Sequence, residues 1–432
     1  MKIISPKDLD TTLDNEIKAD NRHIRKKVNT AVLAILQGVV RRRDAALIAT
    51  TKKFDHVDIT GRLEVKKNEI DKAYKSIPKD ELALLELAAR RIETFHKRQL
   101  QHSWQYKEKD GTILGQKVTP IEKVGIYVPG GKATYPSTVL MNAIPARVAG
   151  VKEIIMVTPP GKDGIVNNYV LAAAKIARVD KIFRVGGAQA IAALAYGTKT
   201  IPKVDKITGP GNVYVTAAKK MVYGVVDIDM LAGPSEILII NDGTGDAAWI
   251  AADLLAQAEH DEMARCILIT TSKEMAEAVS KEVEKQIELL DRKLIARKSI
   301  DGYSVIIVAK DLNEAADESN KIAPEHLELF VEKPFDILKL IKNAGAVFMG
   351  RNTPVAVGDY LAGPNHTLPT GGTARFSSPL GVEDFIKRTS VISFSKKGIN
   401  ALGPSIARFA EIEGLEGHGR SVKARIEKSD VD

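Results

Sequence analysis

In residues 30–50, TAVLAILQGVVRRRDAALIAT, apolar side chains recur at helical spacing, and residues 79–100 repeat the pattern with more charge in between. The N-terminal fifth is therefore predicted to be helical. From about residue 120 the pattern changes to short β-branched runs separated by Ala-rich stretches, the way parallel strands joined by crossover helices are written. Strands are expected at 124–128, 153–158, 181–185, 205–208, 236–240, 266–270, 303–308, 327–331 and 346–350. Helices are expected near 138–149, 166–178, 188–196, 211–223, 246–258, 273–290, 312–322 and 335–343. So many βα units exceed one comfortable sheet, so two doubly wound α/β domains are expected, with a break at the Gly-Pro-Ser turn of residues 233–235. After residue 375 the alternation stops. A tail of roughly 55 residues cannot bury enough surface to fold alone and must dock on its own body or on another subunit.

Composition narrows the class. Of 432 residues, 44% are hydrophobic and 27% charged, which describes a globular chain and not a disordered, fibrous or membrane-spanning one. The N-terminus has no signal-like apolar run and no later stretch approaches about 18 uncharged apolar residues, so a cytoplasmic protein with no membrane partner is expected. A single cysteine, Cys266, excludes an internal disulfide and any zinc site that needs two thiolates, so a metal must use His, carboxylate or amide ligands. The net charge of +8 is spread over basic clusters at 22–27, 41–43 and 90–98 that are interleaved with acidic residues and lack any zinc-finger or RNP-like motif. They are read as solvated helix faces, and no nucleic-acid partner is expected.

The glycine motifs do not spell a familiar nucleotide loop. GIYVPGGK is out of register with a Walker A loop, and Ala133 stands where Ser or Thr would hold magnesium. GTGDAA, residues 243–248, formally satisfies a dinucleotide fingerprint, but a turn capped through Asp246 explains the same letters, and no acidic residue is clearly placed at the end of a second strand. More informative are PGGKATYPST (129–138), VGGAQA (185–190) and TGPGNVYV (208–215), each between a predicted strand and helix. Glycine permits close backbone approach there, and Gln189 and Asn212 at helix entries suit hydrogen bonds to an amide or ribose.

Of the eight histidines, His260, His326, His366 and His418 sit in segments dense in carboxylate, Gly or Pro. In QAEHDE, Gln257 and His260 share one face of a predicted helix, which suits either the grip of one metal ion or an ordinary charged helix end. APEHLELFV sets Glu325 beside His326, which by themselves read as a surface pair or as two proton-transfer groups at one spot. GDYLAGPNHTLPTGGTARFSS adds Asp359 and His366 in a run too polar for core, and EIEGLEGHG adds Glu413 and His418 in the tail.

Taken together, PGGKATYPSTVLMNAIPA, VGGAQAIAALAYGT, GPGNVYVTAAK, LAGPSE, QAEHD, APEHLEL, GPNHTLPTGGTARFSS and EGLEGH resemble the histidinol dehydrogenase family in content and order. The resemblance implies two Rossmann-like domains: 26–110 with 236–375 carrying the zinc and catalytic residues, and 111–235 binding NAD. A segment 1–25 would precede them and a tail 376–432 would be exchanged in a homodimer with shared active sites. It implies zinc on Gln257, His260, Asp359 and His418, and proton transfer by Glu325 and His326. NAD contacts would fall on Tyr127, Gln189 and Asn212, and substrate contacts on Ser235, His326, His366 and Glu413 besides the zinc ligands. The implied reaction is the four-electron oxidation of L-histidinol through L-histidinal to L-histidine with two NAD, the last step of histidine biosynthesis. Metal and cofactor motifs leave a dehydrogenase of another amino alcohol as the alternative. Cys266 lies inside a predicted strand, so a thioester route is not expected.

Overall fold

The computed structural model describes residues 1–8, 21–130 and 134–426. The middle of the PGGKATYPST loop therefore lies outside the described residues, as do residues 9–20 of the N-terminal segment and the last six of the tail. The chain forms two compact units, one of Met1–Gln99 with Ile121–Phe385, the other of Leu100–Pro120 with the chain from Ile386 onward.

The larger unit holds two sheets, every pairing in them parallel. Five strands run in the order Lys181–Arg184, Glu153–Thr158, Lys123–Tyr127, Lys206–Thr208, Asp227–Ile228. Six run in the order Lys2–Ile4, Val305–Val308, Arg265–Thr270, Glu236–Asn241, His326–Phe330, Ala346–Met349. Each strand expected from the pattern is present within a few residues of its predicted bounds. The central Glu236–Asn241 strand is buried along its whole length, which explains its continuous run of Ile and Leu. Asp246 Oδ1 accepts from the Ala248 N–H at 2.8 Å and caps the helix Ala247–Ala258, so capping accounts for GTGDAA.

Packing departs from the expected grouping of 26–110 with 236–375. Val28, Val32, Leu36 and Val39 of the helix Asn21–Arg42 pack on Ile191, Leu194 and their neighbours in the helix Gly187–Tyr196, and Ala88 and Ile92 pack against Val124 and Leu140. The helices up to His96 thus cover the five-stranded sheet, and that cover is why GAQAIAALAY is apolar on every side. Residues 2–4, expected in a separate segment, form an edge strand of the other sheet.

The smaller unit pairs Ile386–Ser393 antiparallel with Ile113–Pro120, which pairs with Trp104–Lys107. None of these three strands follows from the predicted pattern. The helices Lys396–Ile412 and Glu416–Ile426 pack together where Gly403 leaves room for Ile426 and Val422. Among the described residues no helix is long and apolar enough to cross a membrane.

Candidate active site

Pro324 ends one helix and delivers Glu325 and His326 to the amino end of the His326–Phe330 strand, beside the amino end of Glu236–Asn241. The His326 Nδ1 lies 2.9 Å from the Glu236 carbonyl oxygen. A carbonyl only accepts, so Nδ1 carries the proton and Nε2 presents its lone pair. Nε2 is buried and, among the described residues, has no hydrogen-bond partner.

Glu325 is buried, and its Oε2 accepts from Ser235 Oγ at 2.6 Å and from the Glu236 N–H at 2.8 Å, 3.6 Å from His326 Nδ1. Burial pushes its carboxyl up; His326 and these donors pull it back, and Asp359 raises it again. Ser235, expected as a substrate contact, thus donates its hydroxyl to Glu325. The role of Glu236 in setting the His326 tautomer was not legible in the sequence, although the residue sits inside the LAGPSE motif.

Asp359 comes from the short helix Val355–Tyr360, and the His366 Nδ1 donates to its main-chain oxygen at 3.1 Å. Burial holds His366 below the ordinary histidine value, Asp359 pulls it back, and His326 and His260 push it further down. His366 thus lies near Asp359, His326 and His260, and Glu325 near Ser235, His326 and Asp359. Gln257, three residues before His260, is buried with its Nε2 unpartnered among the described residues. Among the described residues no three His, Cys, Asp or Glu side chains gather around a common metal position. Glu413 and His418 belong to the smaller unit, where they line a groove of about 630 Å³ with Leu402, Ile406 and Phe409.

A second feature lies at the carboxyl ends of the five-stranded sheet, where open α/β sheets bind ligands. A cavity of about 1040 Å³ is lined by Tyr127, Gln189 and Asn212, together with Thr158, Asp55 and Tyr214. The Tyr127 hydroxyl accepts from the Gly187 N–H at 3.1 Å, and burial pushes its pKa up to about 12. Asn212 Oδ1 caps its helix, accepting from Tyr214 N–H at 3.0 Å. Gly209 has φ +112°, and a Cβ there would overlap the main-chain oxygen of Tyr127. Its N–H donates to Asp229 Oδ2 at 2.7 Å and its carbonyl accepts from Lys219 Nζ at 3.0 Å, while Lys219 and Asp229 pair in the interior. Gly209 and Lys219 stand inside the GPGNVYVTAAK motif, but nothing in that motif points to Asp229 as their partner.

Residues 18–426 match the family model described as histidinol dehydrogenase. The chain belongs to the histidinol dehydrogenase family. The histidinol dehydrogenase of Geobacter metallireducens is 57% identical over 423 residues, covering 96% of this chain and 97% of its own. That of Bacillus subtilis is 52% identical over 414 residues, covering 96% of each. The crystal structure of histidinol dehydrogenase from Elizabethkingia anophelis superposes with a TM-score of 0.92 at 38% identity, covering 100% of this chain and 99% of that chain. Membership of the histidinol dehydrogenase family makes the chain an oxidoreductase of histidine biosynthesis.

Proposed function

We propose that the protein oxidises L-histidinol through L-histidinal to L-histidine, consuming two NAD, with one zinc ion per site, as a cytoplasmic homodimer. The observation that carries the chemistry is the His326 ring, held by the Glu236 carbonyl so that a buried, unpartnered Nε2 is ready to accept a proton.

Gln257, His260, Asp359 and His418 would hold the zinc. Two imidazoles, a carboxylate and an amide oxygen form a donor set that zinc accepts. Bound zinc would retain alcohol and aldehyde at the site and polarise the reacting oxygen. Tyr127, Gln189 and Asn212 would hold the dinucleotide, which serves as hydride acceptor.

The side chains divide the proton work. In the first oxidation His326 Nε2 takes the hydroxyl proton as hydride leaves the carbinol carbon. Glu325, whose burial makes it a stronger base than a surface carboxylate, then takes a proton from the water that adds to the aldehyde. Ser235 and the Glu236 N–H hold Oε2 during that step. His326, having given its first proton to the aldehyde oxygen as the hydrate forms, then removes the second hydroxyl proton as the hydrate loses its hydride. His366 and, from the partner's tail, Glu413 would orient the substrate. The exchange of tails is supported by a row on the smaller unit, Leu402, Ile406, Phe409, Ile412 and Leu415, that one chain leaves exposed.

The deciding experiment counts NADH formed per L-histidinol consumed by the purified protein, beside a panel of other amino alcohols. Two NADH with L-histidine as product is the expected result. One NADH with released aldehyde, or faster turnover of another amino alcohol, would replace this reading with the alternative substrate.

A further inference from the structure

The cofactor cavity contains a carboxylate that the chemistry above does not use. Asp55 follows the helix Asp44–Phe54 as its C-cap and lines the same cavity as Tyr127, Gln189 and Asn212. Its Oδ2 is buried and, among the described residues, makes no hydrogen bond. A carboxylate oxygen shielded from water without a donor is costly, so such an atom is best explained by a donor that arrives with a ligand. Burial raises the Asp55 carboxyl and His56 offsets this only in part. Beside it on the wall stand Ile35 and Phe54, apolar groups against which a flat base can lie.

Dinucleotide-binding folds use a carboxylate to accept hydrogen bonds from the adenosine ribose, ordinarily from the end of the second strand. Here that strand, Glu153–Thr158, runs into a Pro-Pro-Gly turn. The nearest carboxylate beyond it, Asp163, is exposed and its Oδ1 already accepts from the Ile165 N–H at 2.9 Å. Asp55 reaches the cavity from the helical layer instead.

We propose that Asp55 binds the ribose hydroxyls of the cofactor's adenosine and sets the preference for NAD over NADP, whose 2′-phosphate would meet the carboxylate. This rests on the reading of the cavity as the dinucleotide site.

The test measures dissociation constants and KM for NAD and NADP on the metal-loaded protein, for the parent chain and for Asp55→Ala, Asp55→Asn, Asp163→Asn and Gln189→Ala, each checked by circular dichroism. Removing an acceptor for charge-assisted hydrogen bonds should weaken NAD about tenfold or more in Asp55→Ala, with the larger part of the effect in KM. Asp55→Asn keeps an acceptor without the charge, so it should raise the NADP-to-NAD preference ratio about tenfold, and it carries the test if the alanine variant does not fold. The proposal is overturned if Gln189→Ala weakens NAD while both Asp55 variants bind NAD and NADP like the parent chain, or if Asp163→Asn causes the change instead. If no variant, Gln189→Ala included, alters NAD binding, the cavity reading fails and the proposal with it.

Discussion

Glu328 in the core and the half-buried Asp253 stand close enough for each carboxyl to act on the other, and one proton shared between them would relieve their repulsion. Glu328 also accepts from the Val355 N–H at 2.9 Å. The pair joins the elements that carry Gln257, His326 and Asp359: a helix, a strand and the short helix that Val355 opens.

Burial raises both carboxyls, Asp253 to about 6 and Glu328 well above its ordinary value, with each acting on the other. In the unfolded chain both ionise near about 4. Their contribution to stability is therefore full below that pH and is lost as pH rises through about 6 and beyond. Glu328→Gln keeps an acceptor for Val355 and a donor for Asp253 while removing one ionisation. In urea unfolding with chelator present, the parent chain should lose more stability between about pH 5 and pH 8 than Glu328→Gln does. Equal losses would show that no proton is shared.

Glu325 and His326 are expected to act at different steps. Glu325→Gln can still accept from Ser235 and Glu236, so its site should stay ordered, yet oxidation of supplied histidinal should fall by about 100-fold or more, well beyond the loss in alcohol oxidation. His326→Asn should impair both half-reactions. Stopped-flow measurement of each half-reaction separates them, and equal losses in Glu325→Gln would remove its water-activating role.

Chelation should abolish activity and zinc should restore it at about one ion per chain. His260→Ala should purify with almost no metal by elemental analysis. Full zinc content with normal turnover in that variant would exclude His260 as a ligand.

Inactive His418→Ala chains mixed with inactive His260→Ala chains, dissociated and reassociated, should regain activity, because a mixed dimer with exchanged tails contains one intact site. If verified mixed dimers stay inactive while an equally treated parent sample recovers, each tail serves its own chain.

Cys266 is wholly buried in the Arg265–Thr270 strand, and burial pushes its thiol up to about 12. At pH 8 it should resist iodoacetamide in the folded protein and take up one equivalent after denaturation, as read by mass spectrometry. Rapid labelling of the native chain would contradict its place in the core.

The amino-acid sequence by itself determined the strand and helix series from residue 120 to 350, because two-sided burial and amphipathic helices leave their periods in neighbouring letters. It also determined the family and the candidate polar residues, which stand in long ordered motifs. Only the tertiary structure decided which sheet the N-terminal helices cover, since an apolar face records that it is buried and not against what. The pairing of Ile386–Ser393 with Ile113–Pro120 joins residues far apart in the chain, and these strands are partly exposed, so no local apolar run announces them. The same limit hid the finer parts of the site. The Glu236 carbonyl sets the His326 tautomer, Asp253 acts on Glu328, and Asp55 enters the cavity lined by Tyr127, Gln189 and Asn212 through contacts between distant segments, and such contacts arise only when hydrophobic burial brings whole elements together.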